Sequence, residues 1–474
     1  MKDFVFMFVR SISIENFRCY KNLQIDFIDK NIPKSPKGNL TLIVAKNGEG
    51  KSSLLDAINI GLGTFVGKMP ESKGQGFKKS DIRFSCNSEY QYINNGMPKV
   101  TLQIVINDQE YTVVREVSNS NKKIITSQKD ASYLTSFASE VLKICNEQDV
   151  KTILPIVAYY GDHRIFASDN FGIGAVKPML KRSRQYAYAN SMNANSNYKE
   201  FIQWYIHTQI VIKDAKIRQE EAIEAQKTFL ASDIKHEVSI LHEYCNKLYD
   251  IIEKVFADFG WNHLSYSLID SCIFIERINK KTGVIEEKIP INNLSAGTKA
   301  VLGIVTDLFY RCFTLNPQSY LFQEIPTSGI VLIDEIDLHL HPLWQQQILP
   351  IIQQLFPNIQ FVVTTHSPQV VSSVPAECVR IIDKGNVSKT FGTEGAESSR
   401  ILKRIFGTDP FPSQNPQRMK LHKYLTLVYD NKWNEAQALS LREELDAIYQ
   451  GEEPLLDQAD LFIENEKWEL ANNA

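Results

Sequence analysis

The chain has 474 residues, of which 43% are hydrophobic and 23% charged, and its formal net charge is −3. This composition excludes disordered and collagen-like classes, and the length predicts roughly three domains or lobes. The small net charge gives no global attraction to nucleic acid, so such binding would need a local patch. Seven single cysteines without a CxxC pair indicate reduced thiols and a cytoplasmic protein. No apolar run is long enough to predict a membrane span.

The first third of the chain contains strand-like segments separated by turn residues. These segments are RSISIENF, NLQIDF, NLTLIVA, KVTLQIVI and EYTVVREV. A helix is predicted after Lys51, because leucines and an isoleucine recur there at helical spacing. Residues 66–83 are rich in glycine and lysine and predict a mobile surface loop.

The composition shifts further along the chain. Residues 197–259 are rich in helix formers and lack proline and glycine, which predicts two or three long helices. Strands are expected at LSYSLI and CIFIER, followed by a helix from about Ala296. The apolar runs GIVLID, IQFVVTT and ECVRIID are typical of strands buried on both faces of a parallel sheet. Helices are predicted again beyond Gly395.

The last part of the chain is acidic. Residues 430–474 contain twelve Asp or Glu against three Lys or Arg. Two interpretations stay open: a solvated helical cap, or a surface on which a partner docks.

The segment LTLIVAKNGEGKSSLLDAI combines a strand, a short loop and a helix, which is the context of a phosphate loop. It fits the pattern GxxxxGK[ST], except that Ala45 replaces the first glycine. Ala45 is strained only if its position needs a positive φ, whereas Gly48 and Gly50 are expected to be sterically required. The alternative is an ordinary glycine turn before a helix. The predicted nucleotide-binding residues are Asn47, Gly48, Glu49, Gly50, Lys51, Ser52 and Ser53.

Each part of this loop has an expected task. The backbone amides would point at a β-phosphate, assisted by the positive end of the following helix. Lys51 would neutralise β- and γ-phosphate oxygens, and the Ser52 hydroxyl would hold Mg²⁺.

The segment GIVLIDEIDLHLHP ends a buried strand with Asp334 and Glu335. A carboxylate at the carboxyl end of a parallel strand faces the ligand crevice. Asp334 is therefore expected to hold Mg²⁺ through water, and Glu335 to orient the attacking water. His339 and His341 could bind zinc, but before a proline a loop cap is the preferred interpretation.

Two further segments complete the pattern. IQFVVTTHSP is a buried strand that ends near His366, whose imidazole could reach a γ-phosphate and sense its loss. INNLSAGTKAVLG places Ser295, Ala296 and Gly297 between a strand and a helix N-terminus, where an anion can bind. The sequence thus predicts two separate sites for phosphate.

AKNGEGKSS, LSAGTK, LIDEIDLHLHP and TTHSP, together with the opening ISIENFRCY, resemble the ABC-type ATPase heads of the SMC and RecF branch. The resemblance implies an α/β fold with a mixed, mostly parallel sheet, a flanking antiparallel β lobe, an inserted helical subdomain and a C-terminal helical extension. It also implies that Ser295, Ala296 and Gly297 cover the ATP bound to Lys51 of a second subunit, which gives a homodimer or a higher even oligomer. The expected domains are an ATPase lobe at 1–170, a helical insertion at 171–260, a second ATPase lobe at 261–395 and an acidic partner-docking region at 396–474.

Within this branch the chain is similar to the ATPase subunit of Septu-type bacterial anti-phage systems (PtuA), which also serves as an effector of some retrons. The similarity rests on the short helical insertion, on AYYGDHR and on the C-terminal pattern that begins AESSRILKRIFGTDPFPSQNPQ. It implies an ATPase, dependent on ATP and Mg²⁺ and slow or regulatory in turnover, that controls a separate HNH nuclease. A retron-associated form would also meet a reverse transcriptase and its RNA or DNA.

Some residues are candidates without a complete motif. Arg18 could reach the nucleotide from the N-terminal strand, Arg164 follows an apolar strand, and Asp337 is a third candidate for nucleotide contact or sensing. No glutamine is assigned as the sensor that links Mg²⁺ to the insertion, and Gln91 and Gln103 stay open.

The main alternative is a DNA-repair ATPase of the RecF or SMC type that binds duplex DNA directly. It depends on basic residues of KPMLKRSR and of an earlier loop, namely Lys73, Lys78, Lys79 and Arg83. A third hypothesis, a built-in RNA nuclease, lacks an active site in the sequence. RMKLH (Arg418 to His422) is similar to the arginine–histidine pairs of ribonucleases but is interpreted as charged helix surface. The candidate nucleic-acid contacts are Lys177, Lys181, Arg182 and Arg184.

Overall fold

The computed structural model describes residues 5–27, 40–70, 72–86, 92–94, 96–120, 123–127, 131–147, 151–162, 183–194, 198–224, 228–318, 325–409 and 414–472. The chain divides into two compact units, Met1–Glu397 and Ser398–Ala474. The finer division of the first unit into two lobes and an inserted subdomain stays a prediction.

The described strands all belong to the first unit. They are β1 (Met7–Phe17), β2 (Tyr20–Asp26), β3 (Leu40–Ala45), β4 (Phe84–Cys86), β5 (Tyr92–Asn94), β6 (Lys99–Ile106), β7 (Gln109–Ser120), β8 (Lys123–Ser127), β9 (Ile156–Tyr160), β10 (His263–Ser267), β11 (Cys272–Ile278), β12 (Ile285–Pro290), β13 (Gly329–Ile333), β14 (Ile359–Thr365), β15 (Val379–Asp383) and β16 (Asn386–Ser388).

The described α-helices are shared between the two units, with the last four in the second. They are α1 (Lys51–Val66), α2 (Ser132–Asn146), α3 (Lys199–Glu224), α4 (Thr228–Val255), α5 (Ala296–Leu315), α6 (Pro342–Leu355), α7 (Pro368–Ser372), α8 (Ser398–Arg404), α9 (Pro416–Tyr429), α10 (Ala436–Tyr449) and α11 (Pro454–Asn472). Among the described residues, none of these helices has the length and apolar character that crossing a membrane requires.

A six-stranded sheet contains the apolar strands of the first unit, in the order β16-β15-β3-β14-β13-β9. Strands β15, β3, β14, β13 and β9 are parallel, and β16 pairs antiparallel with β15. Every residue of β3, β13 and β14 is buried, as expected for strands covered on both faces. The carboxyl ends of these three strands therefore meet at one edge of the sheet, where open α/β sheets bind ligands.

An antiparallel sheet in the order β2-β1-β6-β7-β8 flanks the parallel one, and α1 contacts strands of both. This position explains why α1 is buried along nearly its whole length instead of on one stripe. The predicted α/β fold of an ABC-ATPase head, with a mixed sheet and a flanking antiparallel sheet, is confirmed. A third sheet, β10-β11-β12, is also antiparallel.

The helix-rich part of the first unit contains two long helices, α3 and α4, which pack together around Ile212, Leu241 and Cys245. Helix α5 contacts both of them and also β9. The prediction of two or three long helices over 197–259 is confirmed with two.

The loop that follows α1 differs from the prediction of a mobile surface loop. Met69, Phe77 and Asp81 are buried, and the Asp81 backbone carbonyl accepts a hydrogen bond from the Arg18 N–H. A short 3-10 helix forms at Lys79–Asp81. Lys73, Lys78 and Lys79 are exposed, as a surface loop predicts, but the three buried residues anchor it, which glycine and lysine content does not reveal.

The second unit is helical, as predicted. Helices α9, α10 and α11 share an apolar core formed by Leu421, Tyr424, Val428, Ala438, Leu445, Leu456 and Ala459. The Arg442 guanidinium pairs with the carboxylates of Asp446 and Asp460, which links α10 to α11.

Candidate nucleotide-binding site

The phosphate loop runs from the end of β3 to the start of α1. Gly48 and Gly50 have φ angles of 84° and 90°, so both occupy the left-handed region. A Cβ at Gly50 would lie 2.3 Å from the Cys19 sulfur, and the Tyr20 hydroxyl donates to the Gly50 carbonyl at 2.8 Å. The prediction that these two glycines are sterically required is confirmed.

Ala45, where the phosphate-loop pattern has a glycine, is the last residue of β3. It is not among the residues with positive φ, it is buried, and it pairs in register with Ile382 of β15. An alanine meets no backbone strain here, because extended backbone suits any L-residue. The departure from the pattern therefore leaves the loop geometry intact.

Lys51 begins α1 and is only 6% exposed. Its Nζ donates to the backbone carbonyls of Ala45, at 3.0 Å, and Lys46, at 3.5 Å. Burial lowers the pKa of the Lys51 amine, and the nearby carboxylates, Glu335 first, oppose that shift. The ammonium is thus held inside the loop, close to a group of acids.

Asp334 follows β13 directly and is 2% exposed. Because Ile333 pairs with Val363, the next residues along the two strands, Asp334 and Thr364, are also neighbours. The Thr364 hydroxyl donates to Asp334 Oδ1 at 2.5 Å and accepts the Glu335 N–H at 2.7 Å. A single buried hydroxyl therefore positions both acids.

Glu335 has a φ of 44°, a conformation that L-residues adopt at a cost and that often marks functional sites. Its carboxylate lies 4.0 Å from His366 Nε2, and both side chains are about a third exposed. Thr365 donates to Asp337 Oδ1 at 2.6 Å, and the His366 N–H donates to the same oxygen at 3.3 Å. The ends of β13 and β14 are thus joined by two threonine–aspartate pairs.

The charges of this cluster act on one another. Burial raises the pKa of the Glu335 carboxyl, and the carboxylates of Asp334, Asp337 and Asp162 raise it further. Burial also lowers the pKa of His366, with the Lys51 ammonium acting in the same direction. The structure therefore brings Lys51, Asp334, Glu335 and His366 into one electrostatic cluster at the carboxyl edge of the sheet.

The second predicted anion site lies at the start of α5. Ser295 is the N-cap residue, and its Oγ accepts the Thr298 N–H at 3.2 Å. A Cβ at Gly297 would lie 2.3 Å from the His339 carbonyl oxygen, so α5 packs tightly against the segment that follows Glu335. In the part of the chain that the structure describes, no hydrogen bond or ion pair joins Ser295 or Gly297 to the phosphate loop.

Arg18 lies on the turn between β1 and β2. Its guanidinium pairs with Asp56 of α1 at 2.6 Å and with Asp81 at 2.9 Å. These two contacts tie the turn to α1 and to the following loop. A contact between Arg18 and the nucleotide stays a prediction, as does a sensor role for Asp337.

Arg184, predicted to belong to a basic surface, is buried. It is 5% exposed, and its guanidinium donates to the carbonyls of Leu315 and Thr152 and to the Asn316 side chain. A guanidinium held by interior oxygens is not available to a phosphate, so the prediction that Arg184 contacts nucleic acid is wrong. Arg164, Lys177, Lys181 and Arg182 lie outside the described residues.

His341, next to α6, caps the start of that helix. His341 is the N-cap of α6, and its Nδ1 accepts the Leu343 N–H at 3.4 Å. The interpretation as a cap is confirmed for this residue. Gln103 lies within β6 and accepts from Thr112 on β7, so it is not at the cluster, and Gln91 lies outside the described residues.

Sequence reasoning missed Thr364 and Thr365, whose hydroxyls donate to Asp334 and Asp337, and Asp162, whose charge raises the pKa of Glu335. TTHSP contains both threonines, but their pairing with the acids depends on the register between β13 and β14, which no local pattern reveals. Asp162 follows β9, the neighbour of β13 on its other side. Its effect on Glu335 depends on the strand order, which no local pattern reveals.

The donor groups at the cluster fit Mg²⁺. A serine hydroxyl at Ser52 and one buried carboxylate at Asp334 leave room for water and phosphate oxygens, which is how proteins usually bind this ion with ATP. Over the described residues, no group of three or more His, Cys, Asp or Glu side chains could hold a metal by protein ligands alone.

Residues 11–254, about half of the chain, match a protein-family model described as "AAA domain". The chain belongs to the AAA domain family. A second model, whose description names an AAA domain and the AbiEii toxin of a type IV toxin–antitoxin system, matches residues 273–372. With the phosphate loop and the acid pair in place, the chain is an ATPase.

Two relatives align with most of this chain. "Retron Ec83 probable ATPase" of Escherichia coli is 27% identical over 97% of this chain and 87% of that protein. "Septu protein PtuA" of Bacillus mycoides is 25% identical over 76% of this chain and 38% of its own length. The predicted similarity to Septu-type and retron-associated ATPases is confirmed. A crystal structure of an Smc head bound to the C-winged helix domain of ScpA aligns with a TM-score of 0.42 and 16% identity, covering 81% of this chain and 97% of that one.

Proposed function

We propose that two copies of this ATPase pair around two shared ATP sites and control a separate HNH nuclease in anti-phage defence. The observation that carries the ATP site is the convergence of Lys51, Asp334, Glu335 and His366 at the carboxyl edge of the parallel sheet. A lysine held in a glycine loop beside adjacent carboxylates suits phosphoryl transfer, where catalysis is mainly positioning and charge stabilisation.

The phosphate loop binds the nucleotide in this proposal. Backbone amides between Asn47 and Ser52 donate to the β-phosphate at the positive end of α1. The Lys51 ammonium contacts phosphate oxygens. Ser52 and Asp334 hold Mg²⁺, which when bound neutralises charge on the phosphates.

Glu335 acts on the attacking water. Its backbone is fixed by Thr364, and its carboxylate is exposed enough to accept a hydrogen bond from that water. His366 lies beside it and donates to a γ-phosphate oxygen. We expect Glu335→Gln to bind ATP but to hydrolyse it far more slowly, and wild-type turnover in that variant would remove Glu335 from this role.

The trans role of the signature segment is proposed from two features of its donors. Ser295 and Gly297 present a helix N-terminus, a ready site for anions, yet in the described residues neither bonds to the phosphate loop of its own chain. Two-fold pairing would place this N-terminus on the γ-phosphate bound by the other copy. Tight packing of Gly297 against His339 would then couple that contact to the segment after Glu335.

The partner is proposed from the named relatives. Their names refer to a retron and to Septu, and the resemblance of this chain to Septu-type ATPases supports a role in anti-phage defence. The proposed partners are an HNH nuclease, a second copy of this chain and, in a retron setting, a reverse transcriptase with its RNA or DNA. The proposed location is the cytoplasm. The acidic residues 430–474 are the proposed dock for the nuclease.

The test of partner control is purification through a tag on this chain, expressed with its native neighbouring genes. We expect a small HNH protein to copurify at a fixed ratio and to be lost when residues 430–474 are deleted. The matched control for this deletion is a full-length chain in which the Asp and Glu residues of that segment are replaced by Asn and Gln. Recovery of the ATPase without a nuclease contradicts the proposal.

Direct binding of duplex DNA is the second candidate. The observation that favours it is a run of exposed lysines, Lys73, Lys78 and Lys79, on the loop after α1. Binding through phosphates should weaken steeply with salt. Duplex binding at low salt that falls in a Lys78→Glu, Lys79→Glu variant would support it, and no binding at low salt would remove it.

A further inference from the structure

Charge in the second unit is strongly segregated along the chain. Residues 398–429 contain six Lys or Arg and one Asp or Glu, whereas residues 430–474 contain three and twelve. The basic part includes α9, and the acidic part includes α10 and α11.

Helix α9 has two distinct faces. Leu421, Tyr424 and Val428 face the apolar core of the unit. The opposite face lines a cavity of about 450 Å³. That volume lies within the roughly 300–1,000 Å³ of pockets that bind small molecules.

The cavity combines positive charge with apolar walls. Arg418 and His422, one helical turn apart, and Lys423, next to His422, line it together with Met419 and Leu427. Met419 is 61% exposed, so its side chain is accessible to a ligand in the cavity. The one carboxylate in the lining belongs to Asp409, so cations outnumber anions there.

We propose that this α9 pocket binds a nucleotide unit through its phosphate, as a second nucleotide-recognition site outside the phosphate loop. A nucleotide pairs an anionic phosphate with a flat, largely apolar base, and the pocket offers a partner for each. The Lys423 ammonium contacts the phosphate as a charged donor, and the His422 imidazole donates an N–H to it. Met419 and Leu427 pack against the base.

The phosphate can come from a free nucleotide or from one residue of a single strand. Unstacked bases of a single strand can be splayed out and enter a pocket. The proposal does not depend on control of a nuclease, and it concerns residues that take no part in the ATP site.

The test uses the full-length Lys51→Ala chain, so that the phosphate loop does not compete. Fluorescence anisotropy with a short, labelled single-stranded oligonucleotide measures affinity in three further variants: His422→Ala, Lys423→Glu and the control Lys432→Glu. Lys432 is exposed and carries the same charge but belongs to the acidic part. We expect roughly tenfold weaker binding for the two pocket variants, as for loss of one charge-assisted hydrogen bond, and no change for the control.

Competition identifies the source of the phosphate. Displacement of the probe by AMP supports the pocket and points to a free nucleotide, whereas displacement by unlabelled oligonucleotide alone supports the pocket and points to a strand. Displacement by an acidic peptide of equal charge as readily as by oligonucleotide overturns the proposal, because charge alone is then recognised. Unchanged affinity in both pocket variants also overturns it. Unaltered melting curves confirm that these surface variants fold.

Discussion

Replacing Thr364 by valine isolates the hydroxyl that positions the two acids. Valine keeps the shape of the fully buried side chain but removes the donor to Asp334 and the acceptor for the Glu335 N–H. A hydrogen bond to a charged group contributes about 1.5–3 kcal/mol, and an unsatisfied buried donor costs about 1–3 kcal/mol. We therefore expect the free energy of unfolding to fall by about 2–4 kcal/mol.

The same change should slow ATP hydrolysis more than it weakens ATP binding. The hydrogen bond from the Glu335 N–H to Thr364 helps to hold the left-handed backbone of Glu335. Misplacing a catalytic group by about 1 Å can cost roughly 100-fold in rate. We expect kcat to fall between about 10-fold and 100-fold while nucleotide affinity changes little. Urea denaturation and a coupled assay for phosphate release measure the two effects.

Thr41→Val is the matched control. Thr41 is equally buried on the neighbouring strand β3, and its hydroxyl donates to the neutral carbonyl of Phe27 at 3.0 Å. Loss of that bond should cost about 1 kcal/mol and leave kcat unchanged. If Thr364→Val loses no more stability than Thr41→Val and hydrolyses ATP at the wild-type rate, the positioning role assigned to Thr364 is refuted.

Three more outcomes follow from the packing and charges of the first unit. Gly50→Ala should abolish ATP binding, because its Cβ collides with neighbouring side chains. Ala45→Gly should keep ATP binding and lose about 0.5–1 kcal/mol of stability. Equal ATP binding by both variants would contradict the loop geometry. Gly297→Ala should lower the free energy of unfolding by about 1–3 kcal/mol, because the backbone around the new Cβ must shift. An unchanged midpoint of urea denaturation would show that the packing is loose. Burial favours the neutral form of Glu276, but its hydrogen bonds, including one from Lys288, outweigh burial and bring the pKa to about 2. This carboxylate should therefore stabilise the fold above about pH 5. That stabilisation should fall by on the order of 2 kcal/mol as the pH falls toward 2. Acid unfolding of Lys288→Met should show a smaller loss, and an identical pH profile would contradict it.

The sequence predicted the parts of the site that are contiguous in the chain. The phosphate loop, the acid pair and the strand before His366 each follow from a local pattern, and so does the buried parallel sheet that carries them. The glycine at position 50 could be predicted as necessary, because a loop that wraps a phosphate needs a positive φ.

Features that depend on neighbouring strands or tertiary contacts were not predicted. The role of Thr364 requires the register between β13 and β14, and the effect of Asp162 requires the strand order. Arg184 was assigned to a surface because charge runs are usually exposed. A buried guanidinium can instead be satisfied by backbone carbonyls that are distant in sequence, and local patterns do not reveal them. The close approach of Gly297 to His339 likewise appears only after the fold is formed.

The claim that each ATP site is built from two chains is tested most directly by mixing two inactive variants. Lys51→Ala keeps the signature segment but should not bind ATP, and Ser295→Arg binds ATP but should block the signature. Each alone should hydrolyse almost no ATP. In random two-fold pairs of the two, half of the dimers would contain one complete site, so the mixture should recover about a quarter of wild-type turnover. No recovery in the mixture, or full turnover by Ser295→Arg alone, would contradict the shared site.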